Sequence, residues 1–227
     1  MNIIPIFPSA IGRDKIILET DYKSKLIENI LEQEEKNKNT KSDKAWTGDV
    51  NNNEYLHNEK LFENLYLQIN EKIKNYIKNI GYKNDYINIH FQRSWATVSK
   101  TSQDISFHAH LQSHLSFAYY LTFPEGSGKL EFSNERSYNE MINGSFKSKE
   151  LLKMLTSELN IFNAPNATLP VQEDEIYIFP SKLKHGTHPG TNAKPRISLS
   201  SDIVLTLSEG LKNTEMGMAD ISKWRKF

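Results

Sequence analysis

The chain has 227 residues, enough for one substantial core with helical additions, and its 28 basic and 28 acidic side chains cancel. No net field favours nucleic acid or an acidic membrane, so a nucleic-acid partner is unsupported. Cysteine is absent, which excludes disulfides, thiolate metal sites and a cysteine nucleophile; any metal must be held by His and carboxylate.

The N-terminal MNIIPIFPSAIGRDK has no basic region before a long apolar run, and Pro5 and Pro8 interrupt it, so it does not read as a signal peptide. Residues 3–7, IIPIF, predict a short edge strand or extended arm, because Pro5 can donate no ladder hydrogen bond. A helix is predicted from about Tyr22 to Lys36, with Asp21 as N-cap and an apolar stripe of Leu26, Ile27, Ile30 and Leu31. Asn37 to Asn53 is polar and turn-rich, a loop anchored by Trp46 and suited to covering a site. Leu61, Leu65, Ile69, Ile73, Ile77 and Ile80 recur at helical spacing, predicting a helix over 58–80 that Gly81 ends in a left-handed residue.

Strands are then predicted over 86–99, 106–111, 115–123 and 128–133. Asn134 to Asn160 is a long polar insertion carrying a short amphipathic helix near 149–159, a candidate lid. Strands resume near 161–163, 168–171, 175–179 and 196–206, before a polar tail from Ser208. Two helices followed by many short strands favour a mainly β sandwich with N-terminal helical flanks. A single domain over 1–227 is expected, its helical flank at about 20–80 and its β core at about 86–206. No window approaches the roughly 20 apolar residues of a membrane helix, and a cytoplasmic protein is expected.

The chemistry gathers in two stretches. His108 and His110 stand two apart, so an extended backbone would send both imidazoles from one strand face toward one metal. Later come His185, His188, Arg196 and Ser198 among apolar residues typical of buried strands. Imidazole ligands with open coordination positions suit non-haem iron(II). His57 and His90 have no partner at ligand spacing and read as surface or structural; His114 reads as a turn residue facing solvent or substrate. There is no phosphate-cradling glycine motif and no Gly-x-Ser-x-Gly elbow, which argues against nucleotide-dependent chemistry and that hydrolase class.

The blocks SWATV (Ser94 to Val98), HAH (His108 to His110), LSFAYYLTFP (Leu115 to Pro124), IFPSKLKHGTHPG and PRISLS, with IIPIFPSAIG, resemble the 2-oxoglutarate- and iron(II)-dependent oxygenases found in phage and marine bacterial genomes. The resemblance implies a double-stranded β-helix, the jelly-roll or cupin-like fold, and phage encoding. It implies a dioxygenase with iron(II) and the co-substrate 2-oxoglutarate, using dioxygen to oxidise, most simply hydroxylate, a small-molecule or side-chain substrate. The superfamily's usual ligands are His-x-Asp or His-x-Glu with a distal His. The resemblance therefore implies His108 and His185 as ligands, with His110 where the carboxylate would stand; Asp104 and Glu131 are the carboxylates that would otherwise supply it.

The family pattern FPS-x-x-x-H-x-x-x-P matches His185 with Pro189 and selects His185 over His188. Arg196, eleven residues on, stands where the superfamily places the base that holds the distal 2-oxoglutarate carboxylate, and Ser198 on the same strand face adds a hydroxyl. Tyr119 and Tyr120 are candidates for a hydroxyl on the co-substrate, one of them necessarily pointing away. Trp95, His114 and His188 are candidates for the substrate side. Two other readings remain open from residues alone: a cupin-like three-histidine metal protein without 2-oxoglutarate, and a non-enzymatic phage jelly-roll module.

Overall fold

The computed structural model describes residues 1–37, 43–135, 138–208, 222 and 224–226. Its strands are β1 (Gly12–Lys15), β2 (Trp46–Thr47), β3 (Ile87–Ser99), β4 (Ile105–His108), β5 (Leu115–Thr122), β6 (Leu130–Ser133), β7 (Asn166–Thr168), β8 (Glu175–Pro180), β9 (His185–Thr187) and β10 (Arg196–Leu207). Three helices accompany them: α1 (Thr20–Lys36), α2 (Glu63–Asn79) and α3 (Lys149–Leu155). The strands form two antiparallel sheets, β1-β8-β5-β10-β3-β2 and β4-β9-β6-β7, as the double-stranded β-helix requires.

Period-two alternation decides what each face of the larger sheet meets. Phe117, Tyr119 and Leu121 of β5, with Ile176 and Ile178 of β8 and Ile197 and Leu199 of β10, face the helices. There they meet Leu26 and Ile30 of α1 and Leu65, Ile69, Ile73 and Ile77 of α2, the i, i+4 stripes that give these helices one apolar face each. The intervening residues Ala118, Tyr120, Tyr177 and Phe179 face the smaller sheet and close a second cluster with Leu130, Phe132 and Val171. The site lies on this inner side.

All three predicted helices form, with shifted ends. Glu19, without a side-chain hydrogen bond, caps α1, and Asp21 falls in its first turn, so the expected Asp21 cap is corrected. Residues 56–62 make short 3₁₀ turns before α2 begins, and Gly81 takes the left-handed φ of +98° expected at the helix end. Residues 3–7 pair with no described strand and bend at Phe7, whose φ is +55°; the N-terminal strand is instead β1, which pairs with β8. Residues 161–163 form a turn rather than a strand, and the strand expected at 168–171 lies earlier, as β7. Polar Asn-rich sequence carries no alternation by which either position could be read. Most of the tail beyond Ser208 lies outside the described residues.

Candidate metal centre

One face of β10 supplies the floor. Arg196, Ser198, Ser200 and Asp202 alternate onto the inner side, and cross-strand register sets Thr97 opposite Ser198, Trp95 opposite Ser200 and Arg93 opposite Asp202 on β3. A bulge between Asp202 and Ile203 shifts the register where the buried Asp202 carboxylate is aimed inward. On the smaller sheet, β4 and β9 pair His108 directly with His185. Gly186 makes that approach feasible: a Cβ there would lie 2.7 Å from the Ile105 carbonyl oxygen. The strand ends at His108, so His110 reaches the site from the following turn rather than from the extended 106–111 strand expected. The His110 backbone N–H is held by the Ser181 carbonyl at 2.9 Å.

His108, His110 and His185 can each present one ring nitrogen so that all three lie within 4.8 Å of one another. Their Nδ1 atoms are already committed: His108 to the Ser106 carbonyl at 2.7 Å, His185 to the Leu183 carbonyl at 2.8 Å, and His110 to Asp202 Oδ1 at 2.9 Å. Carbonyl oxygens only accept, so Nδ1 of His108 and His185 carries the hydrogen and Nε2 keeps its lone pair. An outer-shell acceptor on the far nitrogen is how metal-binding imidazoles are oriented. Burial, with the neighbouring imidazoles adding to it, pushes His185 down to about 3, and burial also lowers His108. Neutral rings are what a divalent cation needs.

Asp202 holds this arrangement from behind. Its Oδ2 accepts from Arg93 Nη2 at 2.7 Å and Nε at 3.0 Å while Oδ1 accepts from His110. Burial pushes the Asp202 carboxyl up, but the His110 and Arg93 contacts outweigh it and leave the group below the usual carboxylate range. Its place in the site was not read from the sequence, where its signal was an acidic side chain inside the otherwise uncharged run ISLSSDIVL. Neither carboxylate considered there joins the histidines: Asp104 pairs with Lys44 at 2.6 Å, and Glu131 accepts from Thr168 and meets His188.

A cavity of about 660 Å³ opens over the three rings, lined among others by Trp95, Tyr120, Arg196, Ser198 and residues 44–51. That volume is in the range of small-molecule sites. Arg196 is 1% exposed, and its Nη2 donates to the Ser99 hydroxyl and Nη1 to the Gly128 carbonyl. Its Nε is buried with no hydrogen-bond partner, and no carboxylate pairs with it among the described residues. Burial pushes its guanidinium down, opposed by nearby Tyr120; burial pushes Tyr120 itself up to about 12. A buried cation without a counter-ion is costly, and an anionic ligand in the adjoining cavity would relieve it.

The other expected residues divide by strand face. Tyr119 points to the helix side, its hydroxyl donating to the Ile16 carbonyl at 3.1 Å, so of the two tyrosines only Tyr120 lines the cavity. Trp95 lines the cavity and packs its ring 5.7 Å from that of His110. His114 is tied instead to β10, accepting at Nδ1 from the Leu205 N–H, and His188 sits exposed beside Phe107 and Glu131; neither lines the cavity. His57 and His90 bond Ser94 and Thr206, as structural residues. No described residue of 134–160 lines the cavity; the loop that reaches it is formed by residues between 44 and 51.

Residues 93–202 match the family model described as "Putative 2OG-Fe(II) oxygenase". No curated protein sequence matches significantly. Among solved structures, the α-ketoglutarate-dependent epimerase SnoN from nogalamycin biosynthesis is similar with a TM-score of 0.55 at 9% identity, over 88% of this chain and 81% of that one. HygX from Streptomyces hygroscopicus, solved with nickel and 2-oxoglutarate bound, gives 0.52 at 8% identity over 86% and 82%. A Pseudomonas putida prolyl-4-hydroxylase gives 0.52 at 9% identity over 86% and 92%. At such identities these likenesses show the fold, the double-stranded β-helix.

Proposed function

We propose that this chain, whose residues 93–202 match the 2OG-Fe(II) oxygenase family model, binds iron(II) through His108, His110 and His185 and oxidises a substrate C–H bond at the expense of 2-oxoglutarate. When bound, iron(II) and 2-oxoglutarate supply dioxygen activation, with release of succinate and carbon dioxide. The protein's part is to hold and orient. Three imidazoles with committed Nδ1 atoms fit a divalent ion, and Asp202 contributes the negative charge that the all-histidine set lacks.

The observation that carries the reading is Arg196, a buried guanidinium with no carboxylate partner among the described residues, on the wall of the cavity that holds the three histidines. Its unsatisfied Nε and its planar fork suit the distal carboxylate of 2-oxoglutarate, with Ser198 on the same strand face and Tyr120 opposite it in register. Trp95, packed on His110, and the 44–51 loop wall the side from which substrate enters. The substrate is a small molecule or side chain. No helix among the described residues is long and apolar enough to cross a membrane, and we place the activity in the cytoplasm.

The reading is tested by calorimetric titration of the iron-loaded protein with 2-oxoglutarate. Binding that requires Arg196 supports it. Iron binding without 2-oxoglutarate binding would instead favour a three-histidine protein of the cupin type.

A further inference from the structure

The cavity carries one carboxylate that no described side chain neutralises directly. Asp104 on its wall is paired with Lys44 at 2.6 Å, and Asp202 behind His110 is paired with Arg93. Asp49 also lines the cavity, half-buried, and makes neither a hydrogen bond nor an ion pair. It shares that wall with His108, His110 and Trp95. Arg93 is committed to Asp202 through Nε and Nη2.

The position of Asp49 is built rather than incidental. It lies in the 3₁₀ turn Gly48–Val50, which follows β2 on the edge of the larger sheet. Both Asn51 N–H and Asn53 N–H donate to the Gly48 carbonyl, and the Asn51 side chain donates to the Thr47 carbonyl at 2.7 Å. Gly48 packs so closely that a Cβ would meet the Asn53 carbonyl oxygen at 2.7 Å and Trp95 Cβ at 3.3 Å. The turn is thereby pressed against Trp95, which itself packs on His110. Ala45, Val50 and Ile105 give the same opening an apolar wall.

We propose that Asp49 selects the primary substrate by its charge, binding a protonated amine or guanidinium carried on an aliphatic stem that runs past Trp95 toward the three histidines. A cation placed there meets a preorganised acceptor, while the stem covers apolar surface that is otherwise wet. An anionic substrate would meet an unpaired like charge and be rejected. This inference rests on the oxygenase reading for where the substrate reacts, but not for whether the cation binds.

The probes are N-acetyl-lysine amide and N-acetyl-arginine amide, compared with N-acetyl-norleucine amide, a neutral analogue of similar length. Binding is followed by calorimetry on the full chain, first without metal and then with iron(II) and 2-oxoglutarate under anaerobic conditions. At least one cationic probe should bind about five- to tenfold more tightly than the neutral one, as expected for a half-buried charge pair. Asp49→Asn should abolish that preference while leaving iron and 2-oxoglutarate binding unchanged, and Asp104→Asn should keep it. No preference in the wild type, a preference that survives Asp49→Asn, or one that is lost in Asp104→Asn overturns the assignment. A cation preference in the metal-free protein together with failure to bind 2-oxoglutarate would uphold Asp49 and sink the oxygenase reading, so the two stand or fall separately.

Discussion

His110 Nδ1 donates to Asp202 Oδ1 across 2.9 Å, and the same carboxylate takes two hydrogen bonds from Arg93 on the neighbouring strand. On the proposed reading, the imidazole of His110 takes the place of the carboxylate that is the superfamily's usual second ligand, with the Asp202 carboxylate directly behind it. The negative charge is kept on the far side of the imidazole ring, where it fixes the ring's orientation. Asp202→Asn keeps the shape and removes the charge. Iron(II) affinity should fall about 10- to 100-fold, measured by competition titration, with the fold retained by circular dichroism. Unchanged affinity would make Asp202 a purely structural partner of Arg93.

The three rings are not equivalent. His108 and His185 face each other in β4–β9 register, and alanine at either should abolish iron binding. His110→Asp restores the superfamily's usual ligand and should keep iron, though it sets a second carboxylate beside Asp202. Full iron affinity in His110→Ala would move the second ligand elsewhere, with Asp104 the first residue to replace.

Arg196 separates co-substrate binding from metal binding. Arg196→Ala removes a charge-assisted contact of about 1.5–3 kcal/mol and should weaken 2-oxoglutarate by roughly 10- to 150-fold, with iron affinity little changed. Arg196→Lys keeps the charge without the fork and should fall between the two. Ser198→Ala should cost about 1 kcal/mol or less on the same scale. Calorimetry on the iron-loaded protein reads all three.

Glu175 gives the fold a dependence on acid. It is 1% exposed, and burial pushes its carboxyl up, but Arg13, the Tyr177 hydroxyl at 2.8 Å and the Gln172 N–H together hold it below the usual range. A folded-state value below the unfolded one, about 4.3, means stability that is complete above pH ~4.3 and lost as pH falls through the folded value. Urea unfolding between about pH 6 and 3 should show this loss in the wild type and a flatter curve in Glu175→Gln. Parallel curves would assign the acid dependence to other groups.

Much of this was legible in the chain because alternation and spacing are local. The stripes of α1 and α2 follow from helical period, and the inward row Arg196, Ser198, Ser200, Asp202 follows from strand period once β10 is granted. What stayed hidden depends on pairing between distant strands. Tyr119 and Tyr120 are equivalent in sequence, and only the register of β5 against β10 sends one to the helices and the other to the cavity. His114 and His188 share the polarity of ligands but sit outside the cavity. Asp202 carried a signal, a charge inside a buried strand, whose meaning required knowing that His110 lies beside it. Asp49 carried none, being one polar residue in a polar loop.

The most direct test of the central claim is anaerobic addition of iron(II) and then 2-oxoglutarate to the metal-free protein, watched in the visible spectrum. A charge-transfer band of the iron-bound chelate should grow with one equivalent of each, be absent in His185→Ala, and require much higher 2-oxoglutarate in Arg196→Ala. Iron binding with no band at saturating 2-oxoglutarate, or a band of undiminished affinity in Arg196→Ala, would contradict the account.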